Sequence, residues 1–229
     1  MTANRSAAKM TLATCLAALG GAAASLLAAP ALAAQDTAAP AADCELHVWP
    51  SSPVRSTYSG WFHGGIVDGA VQGRDGYKKL PDSILTSEAQ VRTLNEVGVV
   101  ETLKLQGYTL VMHDKALPSR VIRTTPGRLQ PGAPPCYAEL VTDDVFFQQD
   151  LIDGRFIKAI FRFRQFDGSD VPSRTFGTYV QYRLTQFPPA EPDQLEAALE
   201  EFRLAYGQAV REFGAAMNKP AKGKKKLRS

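Results

Sequence analysis

The chain reads as an exported α+β domain, with a mainly antiparallel sheet over 137–185 and an amphipathic C-terminal helix packed on its apolar face. Three stretches support this. Over 155–166, Ile157, Ala159, Phe161 and Phe163 fall on one side while Lys158, Arg162 and Arg164 fall on the other. A period of two marks a strand with one buried face. Ile152-Asp153-Gly154 then supplies a three-residue hairpin loop back to the β-rich 145–149, and 175–185 reads as a third strand. After Pro192, the residues Leu195, Ala198, Leu199, Phe202, Tyr206, Ala209, Val210 and Phe213 recur at intervals of three and four. That is the apolar stripe of a helix, and Glu191, Asp193 and Glu196 suit its positive end.

The first thirty-odd residues are an address. Arg5 and Lys9 precede an Ala-rich apolar run, and Ala31-Leu32-Ala33 is a cleavage site for small residues. Residues 1–33 are therefore read as a signal peptide, 34–43 as a Pro/Ala linker, 44–214 as one domain and 215–229 as a disordered basic tail. After cleavage no transmembrane anchor is expected, and the mature protein is placed in the periplasm or outside the cell. Cleavage leaves Cys44 and Cys136, an even number in an oxidising compartment. A disulfide between them closes a loop of about 90 residues, worth about 4–5 kcal/mol in the chain-entropy account. Charge also redistributes. Of 26 basic residues two leave with the leader and six crowd the tail, so the remaining 18 face all 23 acidic residues, a net of −5. A mildly acidic domain carries a basic tail, which can touch an envelope protein or an anionic lipid surface; no nucleic-acid partner is expected.

Cys44, Leu46 and Val48 alternate with Glu45 and His47. This predicts a short strand whose second face is solvated, because two side chains do not make a metal site. The stretch 60–76 repeats glycine every four or five residues and reads as a Gly-rich loop or a short, closely packed helix. Lys78 and Lys79 follow it without the order of a phosphate loop, and its GRDG is too short to signal RNA binding. His63-Gly64-Gly65 resembles an esterase oxyanion strand, but no G-x-S-x-G supplies a nucleophile. Ser87 and Gln90 form a capping-box pattern ahead of the stripe Val91, Leu94, Val97, with Gly98 as the stop. Residues 99–105 add a turn or two, 108–113 a strand, 119–125 another strand, and Pro126, Pro131, Pro134 and Pro135 a loop.

The hairpin loop sets a register in which Leu151 meets Arg155, Phe147 meets Ala159, Val145 meets Phe161 and Asp144 meets Arg162. Upstream, Ala138 and Leu140 have the opposite parity, so a bulge at Asp143-Asp144 is needed to return them to the core side.

Function is legible mainly by exclusion: no nucleophile–base constellation, metal cluster or cofactor loop stands out, and no cofactor is expected. The candidate anion- or partner-binding face is Lys158, Arg162 and Arg164, whose ordinary alternative is a solvated face paired with Asp144 and Glu139. The leading expectation is a non-catalytic exported protein that binds an envelope component or supports envelope assembly. The alternative is a hydrolytic enzyme whose site forms only in three dimensions, with His47, His63 or His113 beside a carboxylate.

Overall fold

The computed structural model describes residues 44–59, 66–68, 81, 84–150 and 154–220. The segments read as leader and linker, the basic residues after Pro220 and nearly all of the glycine-rich stretch lie outside these residues. In chain order the elements are β1 (Cys44–Trp49), β2 (Arg55–Ser59), β3 (Ile66–Asp68), α1 (Ser87–Val97), α2 (Val99–Leu103), β4 (Tyr108–Met112), α3 (Ser119–Thr124), β5 (Cys136–Asp150), β6 (Gly154–Asp167), β7 (Arg174–Leu184) and α4 (Leu195–Met217).

β5 organises the sheet because it is long enough to serve two strands on one edge. β1 pairs parallel with its first half, from Glu45 opposite Tyr137 to Trp49 opposite Val141. β2 pairs parallel with its second half, from Arg55 opposite Phe146 to Ser59 opposite Asp150. β4 extends the sheet from β1 in parallel, and β3 extends it from β2 in antiparallel. On the other edge β6 runs antiparallel to all of β5, and β7 runs antiparallel to β6. The fold is α+β as expected, but the sheet is mixed. Its parallel half follows from α1 and α2, which carry the chain across between β1 and β4; a parallel pair needs such a crossover. Within the glycine-rich stretch, Ile66–Asp68 is a strand, neither loop nor helix, paired antiparallel with β2.

One sheet face carries the main core. Phe161 and Phe163 are 0% and 1% exposed, and Phe161 lies 5.2 Å from Phe213 of α4. Phe187 meets Phe147 and Phe202 edge-on at 5.2 and 4.9 Å. α1 and α2 add Leu94, Val99 and Leu103. Thr142 and the buried Tyr206 share a hydrogen bond at 2.9 Å, which keeps two hydroxyls in this face satisfied. At the end of β7 the Glu201 carboxylate of α4 accepts from the backbone N–H groups of Thr185, Gln186 and Phe187 at 2.7–2.9 Å. Among the described residues no helix is long and apolar enough to cross a membrane.

The bulge is where parity requires it, between Thr142 and Asp144. Ala138, Leu140 and Thr142 therefore share the core side with Val145 and Phe147. The register differs from expectation by two residues: Phe147 meets Ile157, Val145 meets Ala159 and Asp144 meets Ile160, with Asp150 paired to Gly154. A shift of two leaves the same side chains inward, so burial does not discriminate between the registers. Residues 151–153, read as the hairpin loop, lie outside the described residues, and Gly154 follows them at φ +103°.

Three local expectations also change. Residues 119–124 form α3, not a strand: Ile122 N–H bonds the Pro118 carbonyl, and only Ile122 is buried while Val121 stays 40% exposed. Thr86, not Ser87, caps α1 by accepting from Ala89 N–H. The fully buried Gln90 instead ties down Ser51, accepting from its N–H at 2.8 Å. Gly98 ends α1 at φ +68° as expected. α4 passes through Gly214 and continues to Met217, because Gly214 is a close-approach residue. A Cβ there would lie 2.5 Å from the Thr102 carbonyl oxygen of α2.

Cys44 and Cys136 are joined, with Cα atoms 4.6 Å apart at the start of two neighbouring strands. Replacing both with alanine is expected to cost about 2–5 kcal/mol in urea unfolding. Gly214→Ala is expected to lose about 1–3 kcal/mol, since the obstacle is backbone and α4 must shift to clear it; an unchanged unfolding midpoint would show that the helices separate freely.

Candidate functional site

The second sheet face was expected to meet water, yet much of it is covered. β1 has neighbours on both edges, and α3 with the proline-rich loop after it supplies a small second core of Trp49, Ile122 and Val141, with Leu117 and Leu129 against it. His47 is consequently 5% exposed. A buried imidazole needs partners for both nitrogens. Nε2 lies 2.8 Å from Glu45 Oε2, and Nδ1 lies 2.9 Å from Nε2 of His113. A carboxylate oxygen accepts, so His47 donates through Nε2–H, and one of the two rings donates to the other across the Nδ1–Nε2 contact. His113 is stacked on Trp49, centroids 4.1 Å apart and planes at 6°. Burial, then the neighbouring His47, hold the His113 pKa below the ordinary 6.5 against a smaller upward pull from Asp114.

The structure thus joins two of the three histidines of the hydrolytic reading in a row with a carboxylate; His63 lies outside the described residues. Four grooves of the described surface have no histidine in their walls. The described residues also hold no cluster of three histidine, cysteine or acidic side chains suited to a metal.

Further along the same face the charged residues of β6 meet the odd-numbered residues of β5. Arg164 donates from Nε to Glu139 Oε2 at 2.8 Å and from Nη1 to the Thr125 carbonyl, while its buried Nη2 lies 2.7 Å from the same Oε2 without a hydrogen bond. Glu139, 1% exposed, also accepts from Leu129 N–H at 2.6 Å, fastening the loop to the sheet. Tyr137 beside it is fully buried; burial first, then Glu139, push its hydroxyl pKa far up. Asp143, the bulge residue, differs from Glu139 in collecting two cations. Its Oδ2 takes Arg162 Nε at 2.8 Å and Arg123 Nη2 at 3.2 Å, while Oδ1 accepts from Ser119 Oγ at 2.6 Å. Burial raises the Asp143 pKa, but Ser119 and the two guanidiniums outweigh it and the net shift is downward.

Arg123, Arg162 and Arg164 line one groove of about 510 Å³, with Glu139 in its floor and Thr175, Phe176 and Gly177 of β7 on its far wall. Lys158 lies outside this wall, with its ammonium 5.9 Å from the Tyr179 ring centroid. The expected partner of Arg162, Asp144, pairs with Arg55 instead. Arg123 and Ser119 were missed as site residues because they come from the segment read as a strand. A helical 119–124 points them towards the bulge.

No family model matches the chain, and no curated protein matches it. Two solved structures are similar at low level. One is a crystal structure of a protein from Xanthomonas campestris assigned to the family DUF330, with TM-score 0.36 and 13% identity, covering 80% of this chain and 88% of that one. The other is a crystal structure of an uncharacterised protein, with TM-score 0.33 and 11% identity, covering 73% of this chain and 91% of that one. At these scores neither likeness bears on function.

Asp143→Asn is expected to destabilise the domain by about 1–3 kcal/mol, a figure below that of a fully buried pair because both arginines reach solvent. The His113 ring is expected to titrate below pH 6.5 by NMR. An unfolded chain takes up that proton at 6.5 and the folded one only lower, so this group removes stability as pH falls below 6.5.

Proposed function

We propose that this is an exported, non-catalytic domain that binds an envelope component by holding one of its anionic groups in the groove between α3 and β7. The observation that carries this reading is the sharing of one carboxylate by two guanidiniums. Arg123 and Arg162 both lean on Asp143, whose side chain is fully buried, while their own side chains stay 54% and 42% exposed. Arg164 is matched one to one with Glu139 and serves the fold; the other pair retains a surplus positive charge with open donors facing the groove. Guanidiniums in that position suit phosphate or carboxylate oxygens. Export is supported by the leader pattern, the Pro/Ala linker and the Cys44–Cys136 disulfide. The lysine-rich segment after Asn218 would add a looser attraction to an anionic surface, one that salt weakens. A hydrolytic role would draw on the Glu45–His47–His113 row, which lies outside the walls of the groove that holds Arg123 and Arg162.

Titration of the mature protein with inorganic phosphate, followed through arginine Nε–H resonances, tests the reading. Shifts are expected at Arg123 and Arg162, with Arg164 unmoved, and Arg162→Glu is expected to abolish them. Phosphate that leaves both resonances in place would overturn it.

A further inference from the structure

The groove has β7 as one wall, and β7 is also where the sheet stops. It spans eleven residues, RTFGTYVQYRL, and among the described residues it pairs with β6 alone. A strand of that length with a free edge displays a row of backbone N–H and C=O groups. Proteins ordinarily blunt such an edge with proline, a bulge or extreme shortness. β7 has no proline, its pairing with β6 runs unbroken from Arg174 to Leu184, and Tyr179 and Tyr182 stand 63% and 40% exposed upon it.

Charge identifies what the edge accepts. β7 carries Arg174 and Arg183 and no acidic residue. Its neighbour β6 carries Arg155, Lys158, Arg162 and Arg164, with one acid, Asp167, at its far end. Lys158 reaches across to the Tyr179 ring, so a cation sits directly beside the exposed aromatic of the edge. Two copies paired edge to edge would bring these like charges together, which disfavours self-association. An acidic extended chain would meet opposite charge on the face of Lys158 and Arg162, and its main chain would complete the ladder that β7 leaves open.

We infer that the outer edge of β7 takes an extended, acidic segment of a partner protein as an added strand. This deepens the proposed anion-binding role and rests on it: carboxylates of the added strand on the groove side come to the shared arginines Arg123 and Arg162. The backbone supplies affinity and the charges supply choice of partner.

The test uses the mature protein and a synthetic peptide of alternating glutamate and threonine, with amide hydrogen exchange as readout. The peptide is expected to slow exchange along β7 and to bind less tightly as salt is raised. Methylating every second backbone nitrogen of the peptide removes its ladder donors and is expected to weaken binding about tenfold or more. A lysine–threonine peptide is expected to protect nothing, and Lys158→Glu to reverse the preference. Equal binding by the methylated peptide overturns strand addition, and if phosphate still shifts Arg123 and Arg162 the anion groove stands without it. Protection of β7 by the unmethylated peptide alone, with the arginines silent to phosphate, supports strand addition and removes the groove as a free-anion site. Self-association through β7 without peptide, seen by sedimentation, also overturns the inference.

Discussion

A single extra residue in β5 keeps the two halves of this sheet on one core. The side chains upstream of it, Ala138, Leu140 and Thr142, are even-numbered, and those downstream, Val145 and Phe147, are odd-numbered. All of them face α4 because the register slips between Thr142 and Asp144. Without that slip one half of the longest strand would turn its apolar residues away from α4, and about 1.5–3 kcal/mol per large side chain would be lost with each. The same slip sets two aspartates side by side on the opposite face. Asp143 turns to Ser119, Arg123 and Arg162, and Asp144 to Arg55. Core geometry and groove chemistry are thus consequences of one backbone irregularity.

The opposite face shows how charged residues divide between holding a fold and remaining open to a ligand. Glu139 and Arg164 bind each other and the loop above them, and the one Arg164 donor left over, Nη2, is buried beside Glu139 rather than open to a ligand. Removing either would strand a buried charge, whereas the pair intact adds specificity more than stability. Asp143 is as buried as Glu139 but is shared, so its two guanidiniums keep donors towards solvent. Position along β5 makes the difference: Glu139 lies under the proline-rich loop, and Asp143 lies where α3 ends the cover. The His47–His113 hydrogen bond belongs to the holding class too, filling the space beside Trp49 with two rings whose nitrogens answer each other.

How much was legible follows the range of the interaction. Local alternation in 155–166, the helical stripe of α4, the stop at Gly98 and the need for a bulge all rest on side chains a few residues apart, where backbone period decides which face is wet. The Cys44–Cys136 bond was legible for another reason: with 1–33 read as a leader, two cysteines remain, and two allow one pairing. The β5–β6 register was legible only modulo two, since moving by two returns every side chain to its own face.

What the tertiary structure alone decided is who sits next to whom across long stretches of chain. Parallel pairing of β1 with β4 and β5 leaves no mark in a six-residue alternation, because a strand with one wet face and a strand with both faces covered can share the same letters. Hence His47, read as solvated, is buried against His113, sixty-six positions away. Residues 119–124 have the composition of a strand yet form a helix, and Ile122 packs with Trp49 from a helical turn. By itself the sequence determined which side chains must leave water. Which buried polar groups would answer one another was settled only by packing, since a hydrogen bond between distant residues depends on a geometry that neither end encodes alone.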